Sequence, residues 1–571
     1  MRDQAEHPYD GLDPARKALR LLVEHEPERH DLIFGLVGAI GVSWDPILRS
    51  FDESLQRFGY STQEIHIARL TDELEAGPWG TLPDRASPEY YRDRMDACDQ
   101  LRSIASNGAA MAALGIRRMS ERRYQSRSTP TAYFLRSLKH PDEVKLLRHV
   151  YGEAFFLVAT ACTEKERRDA LAESLSLFDN HRALAEQLLA RDEADSSNKS
   201  FGQNVRDTYS IADVFVPSGR GINIKLGIDR YIDAIFGGPF VTPSPSEEGM
   251  RFAFDASLRS AAAGRQVGAA LIPRLGTPVV AGTNEVPKPG GGQYWTDDNP
   301  DYRDFKTGQD PNPIYTKRVV QEMLERLAEH GWLIDRLKGL SGEELLAEAS
   351  MPDESGDSLL TGARASALIE FTRCLHAEQA AIINSARSGV STEGAILYTT
   401  TFPCHECAKM IIGAGIVEVQ YIEPYPKSLV GRLYRDVIET SPPFARSGGL
   451  IGGKLPFHQF LGIAPRFYTR AFAAGERRIG DSLVEFNRPS TAPRTSGWNA
   501  QGIEERESAA IASISRILDE VATNLNRESL GRSDDEPSET DSQLNDSRDA
   551  RQQRESGLRS VSEPTDEAQI G

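Results

Sequence analysis

The pattern His376-Ala377-Glu378, followed by Pro403-Cys404-His405-Glu406-Cys407, constrains this chain more than any other feature in it. One imidazole and two thiols are the donor set of a zinc ion that keeps its fourth tetrahedral position open to water, whose pKa then falls toward neutrality. Cys404 and Cys407, three residues apart, bring both sulfurs to one turn at the start of a helix. There Pro403 sets the incoming backbone and the positive helix end favours thiolate. His376 has to come from a separate element. Glu378 is too close to His376 to share its face along a helix, yet from a helix start it reaches past the metal to the water. Its carboxylate therefore reads as the proton carrier. His405 and Glu406, between the two cysteines, are assigned no catalytic part.

Blander readings are weaker. A single C-x-x-C is often half of a structural zinc site or a redox pair, but the chain has only five cysteines and lacks a thioredoxin-like context. Cys374 is the one rival ligand; it has no partner at ligand spacing and reads as a small buried apolar side chain. H-x-E followed by P-C-x-x-C is the signature of zinc-dependent hydrolytic deamination of a base, so Zn2+ is the expected cofactor.

The flanks predict a complete domain around that pattern. Phe252 to Ala263 has helical spacing, Gln266 to Ile272 reads as a buried strand, and Pro273 to Gly276 turns the chain into a second strand, Thr277 to Ala281. A helix at 375–386, a strand at 395–399, a helix at 404–412 and a strand at 417–422 follow. This alternation predicts a mixed sheet with helices on its faces.

Arg259-Ser-Ala through Gln266-Val-Gly-Ala, Gly282-Thr-Asn-Glu-Val-Pro287, His376-Ala-Glu, Pro403 to Ile412 and Pro456 to Pro465 together resemble the deoxycytidylate deaminase family. The resemblance implies that Asn284 binds the nucleotide sugar, and Ala377 is placed with it at the substrate. One departure is large: 288–370 separates Asn284 from His376, far more than a loop needs. It includes a predicted helix, Tyr315 to Arg336, and reads equally as a lid or as an oligomer contact.

A different unit lies upstream. Asp31 to Val37 reads as a strand, Gly38-Ala-Ile-Gly41 as a tight turn, and Asp45-Pro46 starts a helix with Ile47, Leu48, Phe51, Leu55 and Phe58 on one face. Gly38, Gly41 and Ser43 are its candidate nucleotide contacts. Against G-x-x-x-x-G-K-[ST], however, Ser43 replaces the second glycine, Trp44 the lysine and Asp45 the magnesium hydroxyl. With Asp45 read as a helix cap that occupies the phosphate-binding amides, no ATP hydrolysis is expected. Arg117, Arg118, Arg122, Arg123 and Arg127 form a basic run able to face phosphates or solvent. Further strands at 132–138, 154–160 and 212–216, with a helix at 166–178, predict a parallel sheet.

The expected fold is thus α/β: a P-loop kinase-like parallel-sheet domain, then a cytidine-deaminase-like three-layer α/β/α domain. Boundaries are read as an N-terminal extension (1–30), the degenerate kinase-like domain (31–236), a linker (237–248) and the deaminase domain (249–483). The tail (484–571) is read as acidic and mostly disordered, with an amphipathic helix near 503–525. This arrangement is similar to the anti-phage dCTP deaminases. That resemblance implies conversion of dCTP, with dCMP, to the uracil nucleotide, an upstream regulatory domain, and a regulatory nucleotide or RNA as partner. Deaminases of this group are commonly multimeric, so a homo-oligomer is expected. Net charge −18 disfavours a grip on long nucleic acid. No apolar run suggests a signal peptide or bilayer span, so a cytoplasmic, non-membrane protein is expected. The competing readings are a dCMP deaminase of nucleotide metabolism, a nucleic-acid cytidine deaminase and, last, a non-enzymatic sensor.

Overall fold

The apolar run LIFGLV can be buried on both faces only inside a sheet, and in the computed structural model it is the central strand β1 (Leu32–Val37). β3 (Thr131–Arg136) and β4 (Phe155–Ala161) pair with it in parallel on either side. β2 (Ser61–His66) lies outside β3 and β5 (Val214–Pro217) outside β4. The structure describes residues 29–531, apart from 75–76, 85–86, 88, 126–129, 177, 179, 195–200, 219–222, 274–275, 354–357, 426–427, 443–447, 474 and 496–498. The predicted extension before residue 29, the tail from 533 to 571 and Arg127 lie outside the described residues.

Alternation along the strands sends Phe34, Phe134 and Phe156 to one face, where their rings stack at 5.0 and 5.3 Å under Phe51 and Tyr231. Ile33, Leu135 and Leu157 face the other side, against Met111, Ile116 and Leu147. The helix that follows β1, Asp45–Gln56, therefore covers one face, and the helix that follows β3, Pro141–Tyr151, covers the opposite one. Adjacent strands whose connections leave to opposite faces open a crevice at their carboxyl ends. A cavity of ≈ 410 Å³ lies there, lined in part by Gly38, Gly41 and Ser43.

The sequence reading needs several corrections here. β2, STQEIH, was not predicted: it is an edge strand with only Ile65 buried, so it has no apolar run to reveal it. Asp45 is not a cap. Trp44 holds the N-cap position without any side-chain bond, and its indole is buried in the core. The loop amide is nevertheless taken by a carboxylate, because Ile40 N–H donates to Asp192 (2.7 Å). The basic run is largely engaged with protein groups, and Arg118 and Arg122 also line a cavity with Arg69 and Arg136. Arg117 and Arg118 pair with Glu121, Arg122 donates to the Glu64 carbonyl, and Arg123 pairs with Asp31 and Glu507.

The second sheet is mixed. β6 (Gly268–Ile272) is antiparallel to both β7 (Val280–Thr283) and β8 (Ile396–Thr401), while β9 (Glu418–Glu423) runs parallel to β8. β10 (Ile438–Glu439) and β11 (Leu455–Gln459) extend it past β9. After β11 the chain crosses over, and β12 (Gly462–Ile463) adds an antiparallel edge to the first sheet beside β5. One apolar cluster spans both sheets, joining Met250, Ala270 and Tyr398 to Ile33 and Leu157.

The segment read as a linker is built into this core. Ser244 caps a helix starting at Pro245, where a linker and then a later helix were expected. Glu247 is fully buried there, accepting from Ile463 N–H (2.7 Å) and from Arg230. The tail reading also begins too early, at 484: Phe486 packs on Phe58, and Arg488 holds Asp233 (2.7 Å). The amphipathic helix runs Ala500–Gly531, and Ile503 and Ile514 are buried in the shared cluster. The described residues up to Asp519 form one compact unit.

Candidate active site

Two helix starts meet at the end of the second sheet. Beyond β8, Pro403 leads to Cys404, the extended N-cap of the helix His405–Gly413 (φ −73°, ψ 170°). Its Sγ turns back to accept from Cys407 N–H at 3.5 Å. His376 is likewise the extended N-cap of the helix Ala377–Ser388 (φ −71°, ψ 155°), and Gln379 accepts from its N–H (3.0 Å). Being non-helical, His376 points away from the helix, while Glu378 lies inside the first turn. That difference in backbone lets residues two apart converge.

His376 Nδ1 lies 3.3 Å from Cys404 Sγ and 3.3 Å from Cys407 Sγ, and all three donor atoms fall within 4.8 Å of one another. Donors on one tetrahedral zinc, with Zn–S near 2.3 Å and Zn–N near 2.0 Å, stand about 3.5–3.8 Å apart. The spacing and the nitrogen–sulfur donor set fit zinc. Among the described residues, no other group of three such donors closes in this way. Cys374 stays outside, its Sγ 4.0 Å from Asp304, with burial pushing the thiol up to about 12.

Of the three donors, Cys404 is the one shifted toward its ligand form. The hydrogen bond from Cys407, with His376 beside it, pulls the Cys404 thiol down to about 4, while that bond and burial push Cys407 well up. Burial, the largest influence, opposes charge on His376, but the bond to Cys404 together with the charges of Cys404, Glu378 and Glu406 outweighs it and raises the imidazole. Glu378 is 4% exposed with Oε2 3.4 Å from Cys407 Sγ; burial and then the Cys404 charge raise its carboxyl above the usual range. It is a carboxylate beside the metal position that can hold a proton.

The group opens on a cavity of ≈ 470 Å³. Ala377, fully buried in the helix start, and Asn284 both line it. Asn284 is also a clamp, its Oδ1 accepting from Val267 N–H (2.7 Å) and its amide donating to the Arg265 carbonyl (2.7 Å). That leaves one lone pair and one N–H on its side chain. Asp304, Asn312 and Thr372 of the long insertion and its border also line the cavity.

Two lining arginines escaped the sequence reading. Arg265 pairs with Glu423, and Arg206, from the chain region of the first sheet, lines the same cavity with its Nε 3.5 Å from Asp207. No signal in the chain could have found Arg206, because only the packing of the two sheets brings it near His376.

Residues 243–423 match the family described as the cytidine and deoxycytidylate deaminase zinc-binding region. The deoxycytidylate deaminase of Enterobacteria phage T4 is 36% identical over 106 residues, 18% of this chain and 55% of that protein. A probable deoxycytidylate deaminase of Drosophila melanogaster is 56% identical over 48 residues, 8% of this chain and 23% of its own. The chain thus spans about half the length of the phage relative. Among solved structures, a dCMP deaminase of cyanophage S-TIM5, in complex with dCMP and dUMP, aligns over 38% of this chain and 98% of its own. The identity is 18% and the TM-score 0.20. The segment that carries the three donors and Glu378 is therefore a zinc-binding region of the cytidine and deoxycytidylate deaminase type.

Proposed function

We propose that the protein is a zinc-dependent hydrolase that deaminates a cytosine nucleotide. The observation that carries this reading is the buried Glu378 carboxylate 3.4 Å from one thiol of a three-donor cluster, facing a cavity of nucleotide size. A purely structural zinc site has no use for that carboxylate. His376, Cys404 and Cys407 hold the metal, which when bound supplies a water of lowered pKa. Glu378 takes a proton from the water, passes it to the ring nitrogen, and later returns one to the departing amine. A C4–O bond forms, the C4–N bond breaks, and ammonia and the uracil nucleotide result. Ala377 packs on the base, the remaining amide valences of Asn284 face the sugar, and Arg206 and Arg265 bring positive charge to the phosphates.

The preferred substrate is dCTP, with dCMP second, and the reaction drains the dCTP pool in anti-phage defence by a homo-oligomeric enzyme under control of its first-sheet region. This finer reading is supported by the mostly parallel sheet ahead of the deaminase segment and by the arginine that reaches the zinc cavity from that region. A dCMP enzyme of nucleotide metabolism is the second reading, favoured by the names of the relatives. Editing of long nucleic acid fits poorly with the charge of −18 and with insertion residues on the cavity wall. Among the described residues no helix is long and apolar enough to cross a membrane. The deciding experiment assays dCTP, dCMP, CTP, CMP, deoxycytidine and a single-stranded oligonucleotide for uracil product and ammonia. Turnover of dCTP above dCMP supports the first reading, dCMP alone the second, and no turnover of any cytosine compound removes both.

A further inference from the structure

The crevice cavity at the carboxyl ends of β1, β2 and β3 has no part in the deaminase reading, yet it is built as a binding site. Its volume of ≈ 410 Å³ lies within the range of small-molecule sites, about 300–1,000 Å³. Among the described residues its wall carries Arg69, Arg94, Arg102, Arg136 and Lys139 against a single carboxylate, Asp45, in a chain of net charge −18. Two of these cations are spent internally. Arg102, 1% exposed, is held by Asp99 and Glu143, and Lys139 donates to Asp192 and to the Gly38 carbonyl. Arg94 pairs with Asp72 and also donates to the Pro83 carbonyl (2.8 Å), and Arg136 pairs with Glu64. Arg69 makes no ion pair among the described residues.

A second observation points to a ligand independently of charge. Gln203 lines this cavity and is 3% exposed, and among the described residues its side-chain oxygen meets no hydrogen-bond donor. Buried polar atoms are rarely left so, and a ligand offering a donor removes the penalty. Tyr90 and Tyr91, edge to face at 5.1 Å, line the same cavity, and the Arg94 guanidinium lies over the Tyr90 ring at 4.0 Å. The glycine loop, by contrast, has little left for phosphate: Ile40 N–H is given to Asp192, Lys139 is bound to the same carboxylate, and Trp44 stands where a lysine would. A chain of phosphates would find no cradle, whereas one phosphate finds three arginines.

We propose that this cavity binds a nucleoside monophosphate, its phosphate against Arg69, Arg94 and Arg136 and its base toward Tyr90, Tyr91 and Gln203. The test is isothermal titration of the full chain with AMP, GMP and dTMP, with magnesium ATP and inorganic phosphate for comparison. At least one monophosphate binds, one per chain, and more tightly than either comparison ligand. Arg69→Ala weakens that binding at least tenfold. Gln203→Leu weakens it too while raising the ligand-free melting temperature, because it removes an unpaired buried oxygen; a purely structural glutamine would lower it. ATP or inorganic phosphate binding as tightly as the monophosphates overturns the proposal, as does binding of none of them. Affinity unchanged in Arg69→Ala, the result if the nucleotide sits in the zinc cavity, also overturns it.

Discussion

Glu378 and His66 show how burial sets the chemistry of single side chains in this protein. Glu378 is raised because it is buried beside a negative sulfur, the condition of a group that must carry a proton at neutral pH. Glu378→Gln keeps the volume and removes the titration, so turnover of the cytosine nucleotide should fall by about 10²–10⁴-fold. Zinc content by elemental analysis should stay unchanged, since all three donors remain. His66 is lowered from 6.5 to about 3, first by burial and then by Arg136, Arg69 and Lys139. Between those pH values the unfolded chain binds a proton at His66 that the folded chain refuses. The associated stability is complete above pH 6.5 and is lost as the pH falls toward 3, by up to about 1.4 kcal/mol per pH unit. His66→Leu removes that contribution, so urea-unfolding stability measured between pH 4 and 6 should fall less steeply with acid than in the parent.

The two zinc-bearing helices depend at the element scale on the strands beneath them. Gly282 of β7 sits so close to the helix Ala377–Ser388 that an added Cβ would lie 2.2 Å from the Ala377 carbonyl oxygen and 2.3 Å from Ala381 N. Both are backbone atoms, which cannot rotate away. Gly282→Ala should therefore lift the helix start that presents His376 and Glu378, costing about 3 kcal/mol in urea unfolding and lowering retained zinc together with activity. The helices and central strands were legible in the chain because their apolar periodicity is strong: the predicted 375–386 is observed as Ala377–Ser388, and 417–422 as Glu418–Glu423. β2 was illegible because an edge strand buries too little to need apolar residues, and the Asp45 cap failed because helix starts are decided by backbone angles that composition only biases.

Across the whole molecule, the deaminase segment and the first sheet are not separable pieces. Met250, Ala270 and Tyr398 share a cluster with the first sheet, β12 completes that sheet, and Glu507 of the last helix accepts from Arg123 and Tyr151. Residues 243–483 produced alone would expose this apolar surface and strand edge. They should be aggregated or fail to give a cooperative unfolding transition, whereas the full chain gives one; circular dichroism melts of both proteins check this. The same packing brings Arg206 to the zinc cavity, so the first-sheet region contributes directly to the site.

The sequence by itself determined the donor set, the carboxylate beside it and the alternating α/β character, because metal chemistry demands particular residue types at short spacings and helices and strands impose their periods locally. Only the tertiary structure decided that Asp192 rather than Asp45 fills the glycine loop, that Arg206 faces the zinc cavity, and that the supposed linker and part of the tail belong to the core. Those outcomes join residues far apart in the chain, and such pairings depend on how two sheets pack, which no local pattern encodes.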